Sequence, residues 1–292
     1  MPEYLPSVTI SFIHPFLYGG IFPSLSKSME QLEEIRKIWH SNRELWLTKV
    51  GPEILQPIQK NGGLKFLNEW EKIVGVAFEN SLGTFEAVQR LCDPNESTRF
   101  WAEGLILTRT NFETFVTLAW IHSEDHEARL ALFIDEGILR KAYFLDQVEE
   151  LRDSASKEQL QQISEAKEEV KKRRPGIGPN RQSLMPSLEK RAYDLAKEQA
   201  KKFSDARWQY DVYYRDVSSH AHPSTWGLSQ SVSFEDDDFL IVEPQTWTGF
   251  KAVWCNGGWL FKMLYQWNAV FNHLPVETLD EWFKEWITTA GY

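Results

Sequence analysis

Arg215 and His222 are the pair of residues in this sequence best suited to chemistry. They lie in Y-Y-R-D-V-S-S-H-A-H-P-S, residues 213–224. An arginine grips a phosphate with two parallel N–H donors and stabilises charge that builds up in a transition state. A histidine moves protons near neutral pH. Together they suffice to cleave RNA through attack by its own 2′-hydroxyl, with no metal or other cofactor. On a helix, positions seven apart lie about 20° from one another around the axis, so Arg215 and His222 share a face, with Ser218 and Ser219 between them. They are roughly 10 Å apart along that axis, too far for direct contact on a straight helix; a substrate phosphate could bridge them, or a second subunit could bring the two groups together. His220 falls about 140° from Arg215, beside Val217 and toward the core. A plainer reading is a helix C-terminal cap, in which both side chains satisfy the last carbonyls. Two further readings stay open. His220-Ala-His222 has the form of a metal dyad, and Arg207, Asp211 and Arg215 have the spacing of a solvated ion-pair row.

A second constellation is Arg109 with Glu113, four residues apart on a helix face that also carries Trp101, Leu105, Phe112 and Val116. Charges on an apolar stripe must be paired to be tolerated, which predicts a buried salt bridge. The pair is either a structural clamp on helix register or the lining of a pocket, and the clamp is the commoner case. A third candidate is the basic cluster Lys171, Lys172, Arg173 and Arg174, with Arg181 beyond it. Such a cluster can steer an RNA backbone, although a run of this kind is more often a solvated loop.

These side chains need helices to position them. Residues 1–27, rich in Pro, Gly and Ser with a β-like run at 8–13, read as an extended arm packed on the body or on a second subunit. Ser28 and Gln31 form a capping-box pattern that opens a helix to Val50, where Gly51-Pro52 is expected to end it. Helices follow over about 64–82, 84–91, 98–121 and 125–150. Residues 155–174 have almost no apolar stripe and read as a solvated helix. It runs into the loop Pro175-Gly-Ile-Gly-Pro179, within a charged, mobile segment spanning 151–186. Ser187 to Ala221 reads as one long helix with Phe203, Ala206, Tyr210, Tyr213 and Val217 on its buried stripe, stopped by Pro223. Residues 232–234 and 239–242 flank an acidic turn and predict a β-hairpin. Helices at about 246–273 and 276–288, separated by Pro275, close the chain. The expected architecture is an all-α bundle over residues 28–292, with one small hairpin in the C-terminal third.

The two constellations together resemble a family of helical bacterial domains of unknown function. R-T-N-F-E, residues 109–113, resembles its first motif. Tyr214-Arg215, Ser218-Ser219 and His222-Pro223-Ser224 resemble its second, Y-R-x2-S-S-x2-H-P-S. The resemblance covers roughly residues 60–270. The Arg-to-His spacing is also similar to the R-x4–6-H signature of the HEPN superfamily, all-α domains that include many dimeric endoribonucleases of toxin–antitoxin, abortive-infection and CRISPR systems. The resemblance implies Arg215 and His222 as the catalytic pair with Asp216 in support. His220 fits the shorter spacing. It further implies RNA as substrate, a homodimer and a partner protein in a defence system. Some HEPN-like domains act only in binding, so an interaction or sensor module is the alternative.

Composition limits these readings. The net charge is −10, which argues against broad, non-specific phosphate binding and leaves room for a small basic site. The two cysteines, Cys92 and Cys255, are far apart, which excludes a Cys-rich zinc module and a disulfide framework. The N-terminal apolar run is broken by His14-Pro15, a poor signal peptide, and no run is long enough to span a bilayer. The expected location is the cytoplasm. Thirteen tryptophans need partners for their indole N–H groups, so they belong at core boundaries and interfaces.

Overall fold

The computed structural model describes residues 28–60, 63, 65–95, 100–150, 156–173, 175, 183–199, 203, 205–221, 232–235, 238–241 and 246–289. The arm at 1–27 lies outside them. The described chain is mostly α-helical. Its helices are α1 (Ser28–Glu44), α2 (Gly51–Lys60), α3 (Glu69–Leu91), α4 (Trp101–His122), α5 (His126–Glu150), α6 (Lys157–Arg173), α7 (Leu188–Glu198), α8 (206–221), α9 (Thr246–Phe271) and α10 (Val276–Thr289). Two short strands, β1 (Val232–Glu235) and β2 (Asp238–Ile241), pair antiparallel with Val232 opposite Ile241. Among the described residues, no helix is long and apolar enough to cross a membrane.

Helix α4 is apolar on nearly every side, with Trp101, Leu105, Phe112, Phe115, Val116 and Ile121 all buried. A helix of that kind must be enclosed by others. Helices α3 and α9 pack against it and each other, while α7 and the end of α8 cover another of its faces. Helix α9 contributes Leu260, Phe261, Met263 and Trp267, all buried. Asn111 Nδ2 donates to Asn256 Oδ1 at 2.6 Å and to the Ser81 carbonyl at 3.2 Å, so one side chain ties the three central helices together. Two glycines permit close approach. A Cβ at Gly249 would lie 2.6 Å from the Trp101 ring, and one at Gly104 would collide with Cys92 Sγ. Trp254 of α9 stacks on Trp286 of α10 at 4.0 Å between ring centroids. Helix α5 leans on α4 and carries α6.

Three boundaries differ from those expected. Gly51-Pro52 does not end the first helix. The chain passes through a π-helical stretch, Leu45–Val50, where the Gly51 N–H reaches back five residues to the Trp46 carbonyl, and continues as α2. The wider turn places Pro52 in the first turn of α2, where a missing N–H costs little. Gly83 does not divide α3, because Phe85 and Val88 continue its buried stripe on the same packing surface. The start of α3 is fixed by Asn68, whose side chain accepts from the Glu71 N–H at 2.9 Å while Glu71 accepts from the Leu67 N–H at 2.6 Å.

The largest correction concerns Ser187–Ala221. It is an antiparallel helical pair and not one helix. Arg215 Nη2 lies 3.2 Å from Glu189 Oε1, and the Tyr193 hydroxyl donates to Asp211 Oδ1 at 2.8 Å. A straight helix would hold Glu189 and Arg215 about 39 Å apart. Helix α7 ends at Gln199, which leaves the helical conformation, and the chain returns through α8. The middle of α8 is π-helical at Gln209–Tyr214. Its start is anchored by Asp205 Oδ2, which pairs with Lys262 Nζ of α9 at 3.1 Å and accepts from Gln209 Nε2.

Candidate functional site

The two constellations read from the sequence meet in space. Arg109 Nε lies 2.6 Å from Glu113 Oε1 on α4. The same oxygen accepts from the Tyr214 hydroxyl at 2.8 Å, and the Arg109 guanidinium sits over the Tyr214 ring at 5.0 Å. Tyr214 stacks on Tyr210 at 5.1 Å and leans on Phe112. The π-helical turn ends at Tyr214. Such turns are frequent at functional sites. The salt bridge forms, but the expected burial does not, because the Arg109 and Glu113 side chains are 27% and 41% exposed. Their face of α4 opens toward Tyr214 at the edge of the core. Burial works against the Arg109 charge, and Glu113 and Tyr214 together more than offset it, leaving the guanidinium above its ordinary value. Burial first, and then the bond to Glu113, raise the Tyr214 phenol.

Arg215 points outward and is 57% exposed. Beside its contact to Glu189, its Nε lies 3.9 Å from Asp211, and its guanidinium lies over the Tyr210 ring at 5.6 Å. Asp211 also pairs with Arg207 at 3.6 Å, so the ion-pair row read from the sequence is present. The bond to Tyr210 holds the guanidinium above its ordinary value; desolvation opposes this, and Glu189 and Asp211 add to it. Asp216 lies in the first turn after Arg215 and is half-buried, as is Ser218. Ser219 and His220 are in the helix, but their side chains lie outside the described residues, as does the whole of His222. Lys171 pairs with Glu168 at 2.8 Å on α6 and, like Lys172, is exposed. The Arg173 side chain, Arg174 and Arg181 lie outside the description. Among the described residues, no group of three or more His, Cys, Asp or Glu could hold a metal ion.

Three contributors escaped the sequence reading. Glu189 and Thr117 look like surface positions until the helical pair is known. Arg191 left a signal: it lies on the stripe of Leu188 and the buried Ala192 and Leu195, and is itself mostly buried. Arg191 Nη1 donates to Thr117 Oγ1. Burial depresses its charged form, and Glu113, Tyr214 and Glu136 counteract this in part. The site thus gathers Arg109, Glu113 and Thr117 from α4, Arg191 from α7 and Tyr214 from α8, with Arg215 just outside it. No curated protein and no solved structure matches the chain. One family profile does, over residues 71–240, and its description is a family of unknown function, DUF5677.

Proposed function

This chain belongs to the DUF5677 family, and from that premise we propose that it is a HEPN-like, metal-independent endoribonuclease of a bacterial defence or toxin system, acting as a homodimer in the cytoplasm. The observation that supports this reading best is the pedestal under Arg215. Tyr214 is fixed on the Arg109–Glu113 pair, and its neighbour Arg215 faces outward on the stacked Tyr210. A guanidinium laid over an aromatic ring and largely exposed is suited to a phosphodiester. In this mechanism Arg215 stabilises the charge that develops on the phosphate, and His222 moves the proton of the attacking 2′-hydroxyl or of the departing 5′-oxygen. The products are a 2′,3′-cyclic phosphate and a 5′-hydroxyl. Asp216 supports the pair, and Lys171, Lys172, Arg173 and Arg174 guide the RNA backbone. Ser218, Ser219 and His220 lie on the same short segment.

A binding role is the second reading, favoured by one observation. Arg215 already contacts two carboxylates, Glu189 and Asp211, which compete with phosphate. A non-catalytic interaction or sensor module needs no free fork. Incubation with total RNA in chelator separates the two. The ribonuclease reading expects cleavage by the wild type and none by His222→Ala or Arg215→Lys, both still folded. Cleavage undiminished in His222→Ala removes that residue from the mechanism. Cleavage stopped by chelator and restored by zinc points to His220 and His222 as metal ligands. No cleavage under any condition leaves the interaction module.

A further inference from the structure

Arg191 is under-partnered for its burial. Arg109, Arg129 and Lys262 each have a carboxylate oxygen within 3.1 Å. Arg191 has none within 4.0 Å among the described residues. A guanidinium offers five N–H donors. Here only Nη1 has a described acceptor, Thr117 Oγ1, and Nε is buried with none. Thr117 gives its own proton to the Glu113 carbonyl at 2.6 Å, so it serves Arg191 purely as an acceptor and neutralises nothing. The carboxylates whose field reaches Arg191 are committed elsewhere. Glu113 holds Arg109 and Tyr214, while Glu136 holds Arg140 at 2.7 Å and the Leu184 N–H at 2.6 Å. A mostly buried cation with one neutral partner is costly to keep, and an anionic ligand would complete it.

We propose that Arg191 is the anchor of a phosphate subsite where α4, α7 and Tyr214 meet, the donors left over from its bond to Thr117 turning to the phosphate oxygens. The subsite extends the ribonuclease reading, and it rests on that reading only for the source of the phosphate. An RNA phosphodiester and free phosphate offer the same pair of oxygens.

The test measures the thermal midpoint of the full chain in chloride buffer as inorganic phosphate is added at constant ionic strength. In parallel, fluorescence anisotropy follows a labelled 2′-O-methyl oligonucleotide that cannot be cleaved. Wild type is expected to show a saturable rise in midpoint with phosphate. Arg191→Met is expected to lose that rise and, without phosphate, to melt no lower than wild type, because it discards an unpaired charge and keeps the apolar stem. Arg191→Lys, which keeps charge without the fork, is expected to respond weakly. Oligonucleotide binding weakened about tenfold in Arg191→Met identifies RNA as the source. Unchanged oligonucleotide binding with a lost phosphate response identifies free phosphate. Cleavage failing while the phosphate response survives would sink the nuclease and leave the subsite. The proposal is overturned by an equal phosphate response in Arg191→Met, by no response in wild type, or by a lower phosphate-free midpoint in Arg191→Met.

Discussion

One oxygen of Glu113 accepts from both Arg109 and Tyr214, so a single carboxylate joins segments 101 residues apart. Because the ion pair is partly exposed, Glu113→Gln should cost about 1 kcal/mol in urea denaturation, well short of the cost of breaking a buried pair. Tyr214 supplies a pH signature. Its phenol is raised in the folded protein, so the unfolded chain ionises first, from about pH 10. The stability contributed by its neutral hydroxyl is full below that pH and is lost as pH rises through the folded value. Wild type should therefore lose stability above about pH 10 more steeply than Tyr214→Phe, as followed by denaturant melts at each pH. The spacing of Arg109 and Glu113 was legible because helix geometry alone puts residues four apart together. Their bond to Tyr214 was not, since no local rule connects positions that tertiary packing alone brings into contact.

Single elements show the same division. The bounds of α4, α6 and α9 fall close to the expected ones. The turn between α7 and α8 left no mark, because residues 187–221 contain no Gly or Pro. Side chains fix that reversal: Tyr193 on Asp211, Arg215 on Glu189, and Glu198 at the end of α7 on Arg129. Arg129 also donates to the Trp120 carbonyl at 2.8 Å and lies over the Trp120 ring. Both partners of that last pair are under one-fifth exposed. Arg129→Ala should thus cost about 3–5 kcal/mol, measured by urea denaturation, because Glu198 is left buried and unpaired. Gly249→Ala should cost about 1–3 kcal/mol by the same measurement, since its methyl would press on the rigid Trp101 ring.

For the whole molecule, the family match and the fold do not share a boundary. The match ends at residue 240, yet α9 beyond it closes the core around α4 and α3. A fragment of residues 71–240 would expose the surfaces that Leu260, Phe261 and Trp267 cover. It should bind a hydrophobic dye and lack a near-ultraviolet circular dichroism signal, whereas the full chain should show fixed aromatic packing. An independently folded fragment with native near-ultraviolet bands would show that α9 is dispensable. The stacked Trp254 and Trp286 bear on the same end of the molecule, since the first belongs to α9 and the second to α10. Two indoles 4.0 Å apart with planes 14° from parallel couple their excited states. The protein therefore carries its own optical reporter, an exciton couplet that lasts only while α10 is docked on α9. Its loss on heating or on ligand binding would time the release of the C-terminal helix without any added label.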